Sequence, residues 1–126
     1  MGFTSGGTGV GDIGRVLIDD VLLTVKSARV KATASGNTQI IAAVSSKQIA
    51  ILAWAIGPVS TAVVVIIQDA DGTPVVLAGP FECATNGGTN NSDYKESDQL
   101  GTSNTAINVN ISTNANVAVH LWYVEK

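Results

Sequence analysis

The chain has 126 residues, of which 45% are hydrophobic and only 13% charged, and its net charge is −3. Seven basic residues give no electrostatic footprint for nucleic acid. One cysteine and one histidine can form neither an internal disulfide nor a tetrahedral zinc site. No apolar run approaches the ~18 residues of a membrane-spanning helix.

The length fits a single domain with one core. Globular proteins usually carry about 25% charged residues, so Thr, Asn, Ser and Gly supply most of the polarity here. Val and Ile occupy 27 positions, which favours strands because β-branched side chains suit a pleated surface.

Residues 1–14 hold six glycines and few large apolar side chains. Such a segment cannot bury enough surface to offset its ordering entropy, so it is expected to act as an arm, held in place by a partner. The start Met1-Gly2-Phe3-Thr4 lacks the charged and apolar stretches of a secretory signal. It fits the first letters of a myristoylation motif, but nothing polybasic follows. From Arg15 to Ala34, Val16, Ile18, Val21, Leu23, Val25, Ala28 and Val30 alternate loosely. One or two strands are expected, with Asp19-Asp20 as a turn; a helix competes, since neither Gly nor Pro interrupts the stretch. Ser35-Gly36-Asn37 is a turn signal.

Thr38–Ser45 reads as a strand, Ser46-Lys47 as a tight turn and Gln48–Ile56 as a second strand, broken by Gly57-Pro58. Ser60–Gln68 is a Val- and Ile-rich run. Asp69-Ala70-Asp71-Gly72-Thr73 reads as a hairpin turn in which Gly72 supplies the positive φ. Thr73–Glu82 is a strand with a bulge or edge feature at Gly79-Pro80. Residues 84–104 read as a polar loop. Thr105–Ser112 alternates, with Ile107, Val109 and Ile111 inward. Asn116–Glu125 sets Val117, Val119, Leu121 and Tyr123 against Ala118, His120, Trp122 and Val124. Short strands at roughly ten-residue spacing describe an antiparallel β-sandwich. Several strands are apolar on both faces, so the second face must meet another sheet or another subunit.

Chemistry-bearing patterns are sparse. Gly9-Val10-Gly11-Asp12-Ile13-Gly14 matches the dinucleotide-binding letters, but no strand precedes it and no helix follows, so it reads as arm composition. Asp69-Ala70-Asp71-Gly72 opens like a calcium loop, but that loop needs a third oxygen ligand at its fifth position and a bidentate Glu at its twelfth, here Thr73 and Pro80, so the loop fails and a turn is preferred. His120 and Cys83 would form a nucleophile–base pair only if brought together beside a carboxylate; buried structural cysteine is commoner. Asp93, Glu96 and Asp98, with Tyr94 among them, read as a solvated or subunit-contacting loop, not the rigid apolar pocket of a glycosidase acid. Trp54, Trp122, Tyr94 and Tyr123 fit either a sugar-stacking platform or interface anchors, and the interface is preferred.

Ser35-Gly36-Asn37-Thr38-Gln39-Ile40-Ile41-Ala42-Ala43-Val44, Lys47-Gln48-Ile49-Ala50-Ile51-Leu52 and the strand ending Leu77-Ala78-Gly79-Pro80 carry a resemblance, as do the loop Ala84–Asn90, the alternating Ala106–Ile111 and the closing Val117–Glu125. Together these segments, spanning Val25–Lys126, resemble small phage-encoded β-sandwich structural proteins: head-decoration (cement or head-fibre) or tail-associated proteins. The resemblance implies a jelly roll that assembles as a trimer on a capsid or fibre through an N-terminal arm, with no catalytic residue.

The expected organisation is therefore all-β: an arm over residues 1–14 and an antiparallel, jelly-roll-like β-sandwich over 15–126. Gly2, Phe3, Gly6, Gly7, Val10 and Ile13 would bind the partner through main-chain hydrogen bonds and close approach. Trp54, His120 and Trp122 would lie at a subunit interface. The expected partners are further copies of the chain, as a homotrimer, and the major capsid protein or another virion protein. Neither nucleic acid, membrane, cofactor, metal nor enzymatic activity is expected, and the chain would be made in the host cytoplasm and reside on the virion surface. A carbohydrate-binding or tail-fibre-associated module is the alternative.

Overall fold

The structure, a computed structural model, describes residues 3, 4, 14–18, 21–91 and 100–126. Eleven strands are assigned among the described residues: β1 (Phe3–Thr4), β2 (Arg15–Ile18), β3 (Val21–Thr24), β4 (Lys26–Ala32), β5 (Gly36–Ile41), β6 (Ile49–Ile56), β7 (Val63–Asp69), β8 (Val76–Cys83), β9 (Thr89–Asn91), β10 (Ile107–Ile111) and β11 (Val117–Glu125).

Eight of these make two four-stranded sheets, ordered β4-β11-β6-β9 and β5-β10-β7-β8, with every pairing antiparallel. The pairing is nested: first strand with last (β4 with β11), second with second-last (β5 with β10), then β6 with β9 and β7 with β8. A long hairpin rolled over on itself produces this order, and only β7–β8 connects neighbours within one sheet. That is the jelly roll; the alternating patterns anticipate the sandwich, and the resemblance its topology.

The core lies between the sheets because the strand period of two delivers one apolar row from each strand. Val63, Val65 and Ile67 from β7, Ile107, Val109 and Ile111 from β10, and Val117, Val119 and Leu121 from β11 are all buried in one cluster. Burying each such side chain fully contributes about 1.5–3 kcal/mol relative to leaving it in water.

Strand β6 departs from simple alternation. Trp122 pairs with Ala53 and Tyr123 with Ile51, so Leu52 is an extra residue on the β6 side. This bulge reverses the phase of the strand: Ile49 and Ile51 face inward before it, Trp54 and Ile56 after it. Leu52 and Ala50 instead join Val25 and Val124 in a second cluster on the outer side of the sheet, against Leu23, Leu100 and Trp122. The second apolar face of β6 is thus covered partly by the chain itself.

Three readings of the sequence need correction. Arg15 to Ala34 holds three strands, and β2 and β3 stand outside the sandwich in a separate sheet of order β1-β2-β3. Residues 84–104 are not wholly loop, because β9 pairs Thr89, Asn90 and Asn91 with Ile56, Ala55 and Trp54. Its polar residues have low strand propensity; close backbone approach holds it, since any Cβ on Gly88 would collide with the Ile56 carbonyl oxygen. In the β7–β8 connection Gly72 does not take a positive φ. The Asp69 carboxylate organises that loop instead, accepting hydrogen bonds from the backbone N–H groups of Val75 (2.9 Å) and Asp71 (3.3 Å) and, across the fold, Thr102 (2.8 Å). The bulge expected at Gly79-Pro80 is present: Val65 pairs with Phe81 but Ile67 with Ala78, leaving Gly79 and Pro80 opposite Ile66. A Cβ on Gly79, at φ +96°, would lie 2.9 Å from the Val65 carbonyl oxygen.

Candidate interaction surfaces

The outer face of the β4-β11-β6-β9 sheet is set by register. Ser27, Trp122 and Ala53 form one row; Arg29, His120, Ala55 and Asn90 form the next; Lys31 and Ala118 form the third. At one end Leu23, Val25 and Leu100 cover the face. At the other, small side chains on β6 and β11 leave a shallow, open groove of about 500 Å³ lined by Arg29, Lys31, Ala55, Gly57, Ala118 and His120. The Gly57 N–H donates to the Ala118 carbonyl (3.0 Å), which keeps that end closed at the backbone.

His120 stacks on Trp122, with ring centroids 4.0 Å apart and planes inclined by 26°. Its Nε2 is buried and has no hydrogen-bond partner among the described residues. Burial, and secondarily the neighbouring Arg29 guanidinium, push its pKa below the usual histidine value, so the ring is neutral at pH 7. Lys26 pairs with Glu125 at 3.0 Å. Arg29 and Lys31 form no ion pair among the described residues.

The second surface is the β2–β3 hairpin. Ile18 pairs with Val21, Leu17 with Leu22 and Val16 with Leu23. Leu23 is anchored on the outer cluster, but Val21 and Leu22 are 54% and 49% exposed. Both faces of β3 carry large aliphatic groups, and the sandwich receives only one of them.

The residues singled out from the sequence are dispersed. Trp54 is not an outer-face residue: the Leu52 bulge turns it inward, where it packs against Phe81 with centroids 5.2 Å apart and its buried Nε1 has no hydrogen-bond partner among the described residues. Trp122 and His120 do face outward, so Trp54 and Trp122 lie on opposite sides of one sheet, and Tyr123 is buried in the core. No platform joins them. Cys83 is buried inward on β8, whereas His120 lies on the outer face of the other sheet, so the two do not meet.

Among the arm residues, Gly2, Gly6, Gly7, Val10 and Ile13 lie outside the described residues, as do Asp93, Tyr94, Glu96 and Asp98. Of Phe3 only the backbone pairing, with Val16, is described. Among the described residues no group of three His, Cys, Asp or Glu side chains is placed to hold a metal ion. Strands on either side of Asp19-Asp20 were among the expectations, but the exposure of apolar side chains on β3 was not, although Val16-Leu17-Ile18 and Val21-Leu22-Leu23 carry a signal for it. Consecutive aliphatic residues in a paired strand are apolar on both faces, and one face is left over.

Compared with known proteins, the chain matches no family model, no curated protein and no solved structure.

Proposed function

We infer that the protein is a virion structural protein, a capsid decoration (cement) protein that sits on the outer surface of a phage head as a homotrimer and binds it through residues 1–14. The observation that carries the self-associating part of this reading is the β2–β3 hairpin, whose Val21 and Leu22 remain half exposed beside a sandwich that has already closed its own core. Apolar surface displayed on one projecting element is what subunit contacts bury. The jelly roll supports the same assignment by fold analogy, since it is a common architecture of viral capsid domains. A trimer presents three arms at once, so individually weak attachments add as avidity.

The carbohydrate-binding alternative relied on Trp54 and Trp122 acting together, and they face opposite sides of the sheet. The decoration reading is tested in two steps. Light scattering of the purified chain should give about three times 12.9 kDa. Deleting residues 1–14 should abolish binding to phage heads that lack the protein while leaving that oligomer intact. A monomer refutes the trimer; full occupancy by the truncated chain refutes attachment through the arm.

A further inference from the structure

The groove on the outer face of the β4-β11-β6-β9 sheet brings together two cations, a floor of small side chains and a fixed aromatic ring. We propose that it binds a single carboxylate-bearing sugar residue, with the carboxylate between Arg29 and Lys31 and the sugar ring over Ala55 and Ala118, against His120. The site draws on neither Trp54 nor the β2–β3 hairpin, and it holds whether or not the chain decorates a capsid.

Charge calls for an anion. Arg29 and Lys31 are exposed and lie two residues apart on one face of edge strand β4, which separates them by roughly 7 Å along the strand. Neither has an ion-pair partner among the described residues, and no carboxylate lines the groove. Two long cationic side chains at that spacing can close on one carboxylate from either side. A guanidinium also matches the two carboxylate oxygens with a pair of parallel N–H groups. The chain as a whole carries −3 and repels long polyanions, so the ligand is an isolated negative group on a neutral body and not a nucleic acid.

The remaining surface selects that body. Ala55, Gly57 and Ala118 carry nothing larger than a methyl group, which leaves a recess of about 500 Å³, within the ~300–1,000 Å³ of small-ligand sites. The recess is shallow, so one side of any occupant stays in water. Hydroxyl groups accept that exposure, whereas a hydrocarbon chain would lose the gain from burial. A sugar ring fits both sides: its C–H face lies on methyl groups and an aromatic ring, and its hydroxyls remain solvated. The aromatic ring is held in advance. One face of His120 stacks on Trp122 at 4.0 Å, and Ala118 lies two residues the other way on the same face of β11, so the second face of the ring borders the groove. A plate already fixed by stacking loses little freedom when a ligand settles on it.

NMR titration of the full chain tests the site, because the ring protons of His120 belong to the one histidine. Glucuronate and N-acetylneuraminate present a carboxylate on two different sugar bodies. At least one of them should saturate and move the His120 ring and Trp122 indole resonances. Glucose, acetate and phosphate should each bind about tenfold more weakly or not at all. Arg29→Gln with Lys31→Gln, and separately Ala118→Leu, which fills the floor, should each weaken the binding about tenfold or more; urea midpoints check that the variants are folded. Absence of saturation with both acidic sugars overturns the proposal. Acetate or phosphate binding as tightly as the acidic sugars overturns recognition of the sugar body, and glucose binding as tightly overturns the role of the two cations. Binding unchanged in the folded variants overturns the placement in this groove. Oligomeric state and attachment to phage heads are read by other measurements, so failure here and failure of the decoration reading are told apart.

Discussion

Replacing Asp69 tests the account of how the long β7–β8 and β9–β10 connections are held. Asp69 is fully buried, and its carboxylate accepts short hydrogen bonds from the backbone N–H groups of Thr102 (2.8 Å) and Val75 (2.9 Å) and a longer one from Asp71 (3.3 Å). Hydrogen bonds to a charged acceptor contribute about 1.5–3 kcal/mol each, and a buried N–H left unpaired costs about 1–3. Asp69→Asn preserves the volume but places an NH₂ where an oxygen accepted, so at least one short bond is lost and its donor orphaned. The expected destabilisation is about 2–4 kcal/mol at pH 7, a large share of the 5–15 kcal/mol typical of a domain.

The pH dependence follows from the same contacts. Burial alone would raise the Asp69 pKa; the backbone hydrogen bonds from Thr102, Val75 and Asp71 outweigh it and leave the carboxyl below the ordinary aspartate value. A carboxylate with a depressed folded-state pKa stabilises the protein above its unfolded value, about 3.9, and that stabilisation is lost as pH falls through the folded value. Urea unfolding of wild type and Asp69→Asn at pH 7 and at about pH 2 should therefore show a gap that narrows in acid. A gap under about 0.5 kcal/mol at pH 7, the range of an ordinary surface change, would refute the proposed role. So would an equal gap at both pH values.

Gly88→Ala should destabilise by about 1–3 kcal/mol through steric conflict, because its Cβ meets the Ile56 carbonyl oxygen. By contrast Gly72→Ala, with nothing within 4 Å and no positive φ, should be neutral or stabilise by about 0.5 kcal/mol; denaturation midpoints compare the two. The His120 ring should titrate below the ordinary 6.5 in a proton NMR titration, because burial and then Arg29 disfavour its charged form, and Arg29→Ala should move it back upward. Since the unfolded chain takes up that proton more readily, His120 should cost stability as pH falls from about 6.5 toward the folded value. The Cys83 thiol, buried and with its pKa raised by that burial, should resist a thiol reagent in the native protein and react promptly in denaturant.

The parts of the fold that could be read from the sequence are those where period two survives uninterrupted. Ile107, Val109 and Ile111, and Val117, Val119 and Leu121, announce their inward faces directly, and all are buried. Trp54 shows where this fails. Counting by twos from Ile49 and Ile51 places Trp54 outward, and one inserted residue at Leu52 reverses that; no local preference of Leu-Ala-Trp marks the bulge. Strand β9 was hidden for a different reason, since its polar Thr and Asn residues follow a close backbone approach at Gly57, Gly87 and Gly88, which side-chain periodicity does not signal. The turn at Asp69 was located correctly but given the wrong mechanism, because the glycine signal masked a buried carboxylate whose third partner, Thr102, is distant in sequence. Of the proposed interaction face, His120 and Trp122 were legible as outward residues. The groove was not, because it exists only where Ala55 and Ala118 are brought side by side with Gly57.

The edges of the sheets bear on how copies of this chain meet. A jelly roll has four edge strands, each with free backbone groups able to pair with another chain. Here β4 carries Lys26, Arg29 and Lys31, β8 is interrupted at Gly79-Pro80 and bears Glu82, β9 has only three residues, and β5 exposes Asn37 and Gln39. Charge, bulge, shortness and polarity are the means by which sheet proteins discourage edge-to-edge association. Strand β3, at the edge of the β1-β2-β3 sheet, is short at four residues but lacks the other three: Val21-Leu22-Leu23-Thr24 is uncharged, without proline, and aliphatic at three of four positions. In the homotrimer proposed above, a sequence that guards its sandwich edges in four ways and leaves one hairpin edge apolar and exposed would direct association to that hairpin. A contact limited to one edge would be directional, which favours a closed assembly of defined size over open-ended stacking of sandwiches.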